Sequence, residues 1–429
     1  MVYAAAYAIR PRITDHVNRK FFLPALTLRI FCAIALGFLY QFYYGGGDTF
    51  NYHTHGSRQV WNAFMENPEA GFKLLFSDNK SEAGIYKYSS HIPFFRDKSA
   101  YMVVRVASIF DLFTFSSYTA TAICFAVLSF IGSWLIFLTF YRDYPHLYKP
   151  IALAALFIPS VAFWGSGVLK DTLTLAAVGV ATFFVRQVFI RHRINIFQII
   201  LIFLAFYLIF HIKKYVILCF LPAVFLWVYA SMLKKFRSVV MKLLILPFVL
   251  GFALICAYVA TEQLARDDPR YALSQLGNTA KITAYDIAFQ TGRDAGSTYS
   301  LGELDGSFSS MLKLAPQAVN VSLFRPYLWE VKNPLQLLSA LESFLLFIFT
   351  VYLVYKSWGY LGRAIINPDV MFCLVFSITF AFAVGVSTFN FGTLSRYKIP
   401  LMPFFVIGLA LLNDYAKRER KLSVLERTE

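Results

Sequence analysis

Ten apolar stretches, each near the length of a bilayer crossing, run along the chain. They lie near 22–44, 118–141, 150–165, 172–190, 196–211, 215–232, 239–260, 335–355, 369–388 and 399–413. A hydrocarbon core is crossed by about 20 residues of helix. No water reaches that core, so a crossing segment must satisfy its backbone internally. The pattern therefore predicts an all-α polytopic membrane protein of about ten transmembrane helices, with 1–429 as a single integral membrane domain. Composition agrees: 58% of residues are hydrophobic and 15% charged, more apolar than soluble domains of this length.

The formal charge of +16 is explained by membrane topology and does not require a nucleic-acid partner. With residues 1–21 in the cytoplasm and alternating spans, the inner segments carry twenty Lys and Arg. The three short outer connections carry five: Lys170, Lys213, Lys214, Arg396 and Lys398. This bias places both termini in the cytoplasm. An uncleaved first helix and the polytopic pattern suit the inner (plasma) membrane, with membrane lipids as partners. The five cations oppose the usual charge bias, and an anion held at the outer face accounts for them.

Two outer segments are long, 45–117 and 261–334, and together would form an outer layer. Residues 51–66 and 101–115 read as interfacial helices. Residues 291–307 are glycine-rich and read as a mobile turn. All five cysteines fall inside apolar spans, and no Cys pair has metal or disulfide spacing.

Chemistry-bearing residues gather at the outer ends of spans. Gly45-Gly46-Gly47-Asp48 follows the first span, and a carboxylate there can serve as a general base. The alternative is a glycine turn with Asp48 as N-cap of the next helix. Asp48, His53, His55 and His91 are weak candidates for a divalent metal; no motif identifies a cofactor. Lys170 and Asp171 open the fourth span after Pro159 and Gly165-Ser166-Gly167. A helix start with a lysine favours phosphate, while a Lys–Asp pair could simply close a hairpin. Ser166 and Lys170 also have the spacing of a serine–lysine dyad. Lys213 and Lys214 sit in a tight hairpin, and snorkelling to headgroups would equally explain them. Arg325 and Glu330 precede the eighth span, where they could bind substrate or pair with each other.

The run Arg396-Tyr397-Lys398-Ile399-Pro400-Leu401-Met402-Pro403-Phe404 resembles the R-Y-x-x-P-x-x-P-F stretch that opens a late span in type-C (GT-C) membrane glycosyltransferases. The layout is also similar: one span, a long outer loop beginning with an acidic residue, and a second large loop after the seventh span. The resemblance implies a GT-C-like fold and a polyprenyl-phosphate-linked sugar as donor. It implies Asp48 as catalytic base, the outer Lys and Arg residues together with Tyr397 and Arg325 as lipid-phosphate ligands, and closure of loop 261–334 over the acceptor. Family members often have a second acidic residue beside the first; here Thr49 follows Asp48.

Two other functions fit the same layout. An O-antigen-polymerase-like enzyme would use lipid-pyrophosphate glycans and place catalytic arginines in the large outer loop, where Arg293 and Arg325 lie. A transporter or flippase would place ionisable groups at mid-membrane or in paired broken helices; Arg29 lies within the first span, but nothing acidic in a neighbouring span answers it, and the charges gather at one face.

Overall fold

A computed structural model describes residues 1–80, 82–233, 251, 275–292, 298–302 and 305–428. Among these the regular secondary structure is helical, with one isolated bridge between Thr298 and Asn390. Six helices are long and apolar enough to cross a membrane: Arg19–Tyr43, Tyr118–Tyr141, Lys170–Ile190, Lys214–Leu233, Pro334–Ile365 and Pro368–Thr388. A seventh span results if Phe391–Tyr397 and Met402–Ser423, bent by 66°, are taken together. Ile196–Ile212 is apolar but shorter. The expected span at 239–260, apart from residue 251, lies outside the described residues, as do Arg293 and part of the loop 261–334.

The expected span at 150–165 is not one helix. It runs as Tyr148–Ala152, a π turn Leu153–Phe157, an extended Ile158, and a short helix from Pro159 to Trp164. Proline disfavours helical backbone in the residue before it and has no N–H to donate, so Ile158 is extended and Pro159 starts a new helix.

The backbone divides into two units. The first holds Met1–Phe184 and Asn195–Lys214. Its helices are α1 (Val2–Ile13), α2 (Arg19–Phe38), α3 (Asp48–Tyr52), α4 (Arg58–Glu66), α5 (Pro68–Phe76), α6 (Lys98–Thr114), α7 (Tyr118–Tyr141), α8 (Pro159–Trp164), α9 (Lys170–Val185) and α10 (Ile196–Ile212). The segment after the first span is folded: α3, α4, α5 and α6 pack on one another around Tyr52, Val60, Leu74, Tyr101 and Val104. Asp97 starts α6 by accepting the N–H groups of Ser99 and Ala100 at 2.9 and 3.2 Å. Helices α7 and α9 cross at Gly132 and Gly179, where a Cβ on Gly179 would lie 2.1 Å from the Gly132 carbonyl oxygen. Small residues permit such close approach between membrane helices.

The second unit holds Val185–Ile194 and Tyr215–Glu429. Its main helices are α11 (Lys214–Leu233, from Tyr215 onward), α12 (Leu276–Gly292), α13 (Ala315–Phe324), α14 (Pro334–Ser357), α15 (Pro368–Thr388), α16 (Phe391–Tyr397) and α17 (Met402–Thr428). Helix α15 is central and packs on α12, α13 and α17. Its core is aromatic: Trp227 stacks on Phe372 at 4.2 Å between centroids, and Phe376 meets Phe220 and Phe404 edge to face. Gly385 lets α15 approach α13, since a Cβ there would stand 2.3 Å from the Ala318 carbonyl oxygen.

Candidate functional site

The chain leaves the first span through a π turn, Leu39–Tyr43, and then three glycines with φ of +67°, +134° and +122°. L side chains rarely adopt these angles, so the turn depends on glycine. Gly46 N–H bonds to the Tyr40 carbonyl at 2.8 Å, closing the turn against the span. Gly47 is the N-cap of α3, and its carbonyl accepts from Phe50 and Asn51. Asp48 is therefore the first residue of the helix rather than its cap, half-buried at the positive end of a short helix.

Behind Asp48, α3 continues through a second π turn, His53–Ser57. Both ends of that turn face Asp111 of α6. Ser57 donates to Asp111 Oδ2 at 2.6 Å and Thr121 donates to Oδ1 at 2.6 Å. His53 Nε2 is 3.4 Å from Asp111 Oδ1. All four side chains are buried. The carboxylate stands between histidine and serine, so Ser57 bonds to Asp111 and not to the imidazole, unlike the order of a Ser-His-Asp triad. Thr49 Oγ1 lies 2.8 Å from the Tyr118 hydroxyl, and the Tyr118 ring meets His53 edge to face. His55 and His91 are exposed. Among the described residues, no group of three or more His, Cys, Asp and Glu is arranged to hold a metal ion.

Three lysines expected at the outer face differ in environment. Lys170 Nζ donates to Ser99 Oγ at 2.6 Å and lies 3.5 Å from Asp97 Oδ2, with its side chain 22% exposed. Burial opposes ionisation of Asp97, but Lys170 and the N–H groups of Ala100 and Ser99 outweigh it and hold the carboxyl below its ordinary range. Lys213 is buried and pairs with Asp171 at 2.5 Å. Lys170 and Asp171 thus tie the start of α9 to α6 and α10. Lys214 opens α11 with its ammonium 5.5 Å from the Phe210 ring. Ser166 donates to the Ala162 carbonyl at 2.5 Å while Lys170 turns to Ser99, so the two do not form a dyad.

In the second unit, Arg325 and Glu330 pair bidentately, Arg325 Nε donating to Glu330 Oε2 at 3.0 Å and Nη2 to Oε1 along the same edge of the guanidinium. Glu330 also accepts the Tyr327 N–H at 2.8 Å. Burial opposes ionisation of Glu330, yet Arg325 and that N–H prevail and lower its pKa. The rings of Tyr299, Tyr327 and Phe391 surround the guanidinium at 5.2 to 5.7 Å. One hydroxyl joins two expected site residues: Ser343 donates to the Arg325 carbonyl and accepts from Lys398 Nζ, both at 3.2 Å. Lys398 is 1% exposed and sits at the break between α16 and α17. Tyr397 lies beside Tyr215, which stacks on Phe380. Arg396 is half-buried in the last turn of α16.

Two further charged residues have partners that were not legible in sequence. Arg186, assigned by pattern to a cytoplasmic loop, pairs bidentately with Asp369 at 3.1 and 3.3 Å, and Trp227 Nε1 donates to the same carboxylate at 2.7 Å. Arg29 is buried in α2, donating to the Val161 carbonyl at 2.6 Å and Ser133 Oγ at 2.8 Å. The acceptor at Val161 belongs to the helix that Pro159 restarts.

Apolar helices of spanning length, with no strand among the described residues, define an all-α polytopic membrane protein. No family model, curated protein or solved structure matches the chain.

Proposed function

We propose that this chain is a GT-C-like membrane glycosyltransferase that moves a sugar from a polyprenyl-phosphate donor to an acceptor at the extracytoplasmic face. In this reading it has about ten spans, cytoplasmic termini in an inner (plasma) membrane, and outer segments 45–117 and 261–334. The observation that carries the proposal is the position of Asp48, directly after the first span and fixed by three left-handed glycines. Asp48 takes the proton of the acceptor hydroxyl. The acceptor oxygen bonds to the anomeric carbon as the bond from that carbon to phosphate oxygen breaks, and the polyprenyl phosphate leaves with the electron pair. Lys170 and Lys214, in the same unit as Asp48, are the cations assigned to the phosphate. Lys213 is assigned to holding the start of α9 through Asp171. Sugar transfer from a lipid-phosphate donor, measured with purified protein, tests the proposal. Asp48→Asn should lower turnover by about 100-fold or more, within the range of general-base catalysis; unchanged turnover would remove Asp48 as base.

A transporter is the second reading, favoured by the 66° break at Lys398 and by Arg29 buried in a span. Movement of a lipid-linked substrate across proteoliposomes, lost in Lys398→Met and retained in Asp48→Asn, would select it over the enzyme.

A further inference from the structure

Helix α1 is apolar on every side and yet exposed. From Val2 to Ile9 it holds only Val, Tyr, Ala and Ile, and of these only Ala6 is buried. Tyr7 is 60% exposed, and Tyr3 and Ile9 also face outward. A helix apolar all round belongs in a core or in a membrane.

Its direction is set by two hydrogen bonds. Arg10 Nη2 donates to the Arg19 carbonyl at 2.9 Å, and the Tyr3 hydroxyl is 2.8 Å from Thr27 Oγ1. The chain therefore folds back, and α1 runs antiparallel to the start of the first span. The two bonds are separated by seven residues on α1 and eight on α2, roughly 10–12 Å of helix. The turn between them is pinned. Asp15 accepts the N–H groups of Val17 and Asn18 at 2.8 and 2.9 Å, and the Tyr141 hydroxyl from the end of α7 donates to it at 2.9 Å. The apolar residues of α1 thus extend alongside the first turns of the span, while Arg10, Arg12, Arg19 and Lys20 gather where that span begins.

We propose that α1 lies against lipid alongside the first turns of the first span, with its apolar surface on acyl chains and its arginines on anionic headgroups. Continuity with a span that crosses the same bilayer fixes the apolar occupant, and the cationic end complements acidic lipid. The two tyrosines suit the boundary between headgroups and hydrocarbon.

The test uses the full chain reconstituted in sealed vesicles, with a membrane-impermeant maleimide and single added cysteines at Ala4, Ala8 and His16. Labelling of the unsubstituted chain supplies the baseline for the native thiols. Cysteines at Ala4 and Ala8 should be protected and become reactive in detergent, while the exposed His16→Cys in the turn reacts in both. His16→Cys is read after adding reagent to both sides of the membrane. Reaction of Ala4→Cys and Ala8→Cys in intact vesicles, matching His16→Cys, would overturn the proposal. Oxidative cross-linking through Ala8→Cys into a dimer would also overturn it, by assigning the surface to a second copy. The headgroup part has its own measurement. Adding phosphatidylglycerol to phosphatidylcholine vesicles should raise the thermal midpoint of the wild type by several degrees and that of Arg10→Gln/Arg12→Gln by less than half as much. Equal shifts would remove the anionic contact.

Discussion

Lys213 Nζ and Asp171 Oδ1 are 2.5 Å apart, with side chains only 5% and 1% exposed. A lone charge left in such a place is costly, because protein groups must replace the water it has lost. Lys213→Met or Asp171→Leu alone should destabilise the protein by about 3–5 kcal/mol. The double substitution should recover much of that loss, because neither charge is then left behind. Thermal midpoints of the four proteins in one detergent check this cycle. A loss in the double variant equal to the sum of the two single losses would show that the two groups are not coupled.

Asp111 accepts from Ser57 and Thr121 at once. Asp111→Leu removes the carboxylate acceptor of two buried hydroxyls, leaving Thr121 with the Thr114 hydroxyl at 2.8 Å and Ser57 with the His53 carbonyl at 3.4 Å, and should cost roughly 1–3 kcal/mol in all. Asp111→Asn keeps one carbonyl acceptor and should cost less. Hydrogen exchange should rise at residues 48–57 in Asp111→Leu, since the π turn beginning at His53 is held by that carboxylate. Unchanged exchange there would show that the turn is held by other contacts.

Gly179 should tolerate no side chain. A Cβ would meet the Gly132 carbonyl at 2.1 Å, and backbone cannot give way as a flexible side chain does. Gly179→Val should cost roughly 3 kcal/mol or more. Gly359→Ala, with open space around it, should leave the midpoint nearly unchanged. Comparison of the two in thermal unfolding separates crowding from any general loss of glycine.

The Arg325–Glu330 pair should give stability an acid limb. The folded-state pKa of Glu330 is lowered, so its contribution is full above its unfolded value near 4.5 and is lost as pH falls through the lower folded value. Glu330→Gln should lower the midpoint at pH 7 and flatten its dependence between pH 5 and the folded value. An acid limb of unchanged size in Glu330→Gln would assign it to other carboxylates.

What the sequence shows best is what is repeated along it. Apolar runs of spanning length anticipate Arg19–Tyr43, Tyr118–Tyr141 and Pro368–Thr388 within a few residues, because a long periodic or continuous signal survives local irregularity. Asn51 to Glu66 was readable as helix from its mix of aromatic and polar residues, although not its π turn. Partners distant in sequence were not readable. Lys213 and Asp171 are 42 residues apart, and Arg186 and Asp369 are 183 apart. Pairing over such separations is decided by how helices pack, and a lone cation near a span end looks the same whether it meets a headgroup, a ligand or a buried acid. Arg325 and Glu330, five apart, could be weighed as a pair, and they do pair.

Gly45 and Gly46 have no atom within 4 Å of where a Cβ would stand, whereas at Gly47 the Tyr40 ring is 2.9 Å away. The first two positions therefore select handedness and not size. A D-alanine placed at either by chemical synthesis should fit where L-alanine strains the backbone. Seen this way, the approach to Asp48 is a short stretch of mirror-image geometry that L side chains enter only with strain.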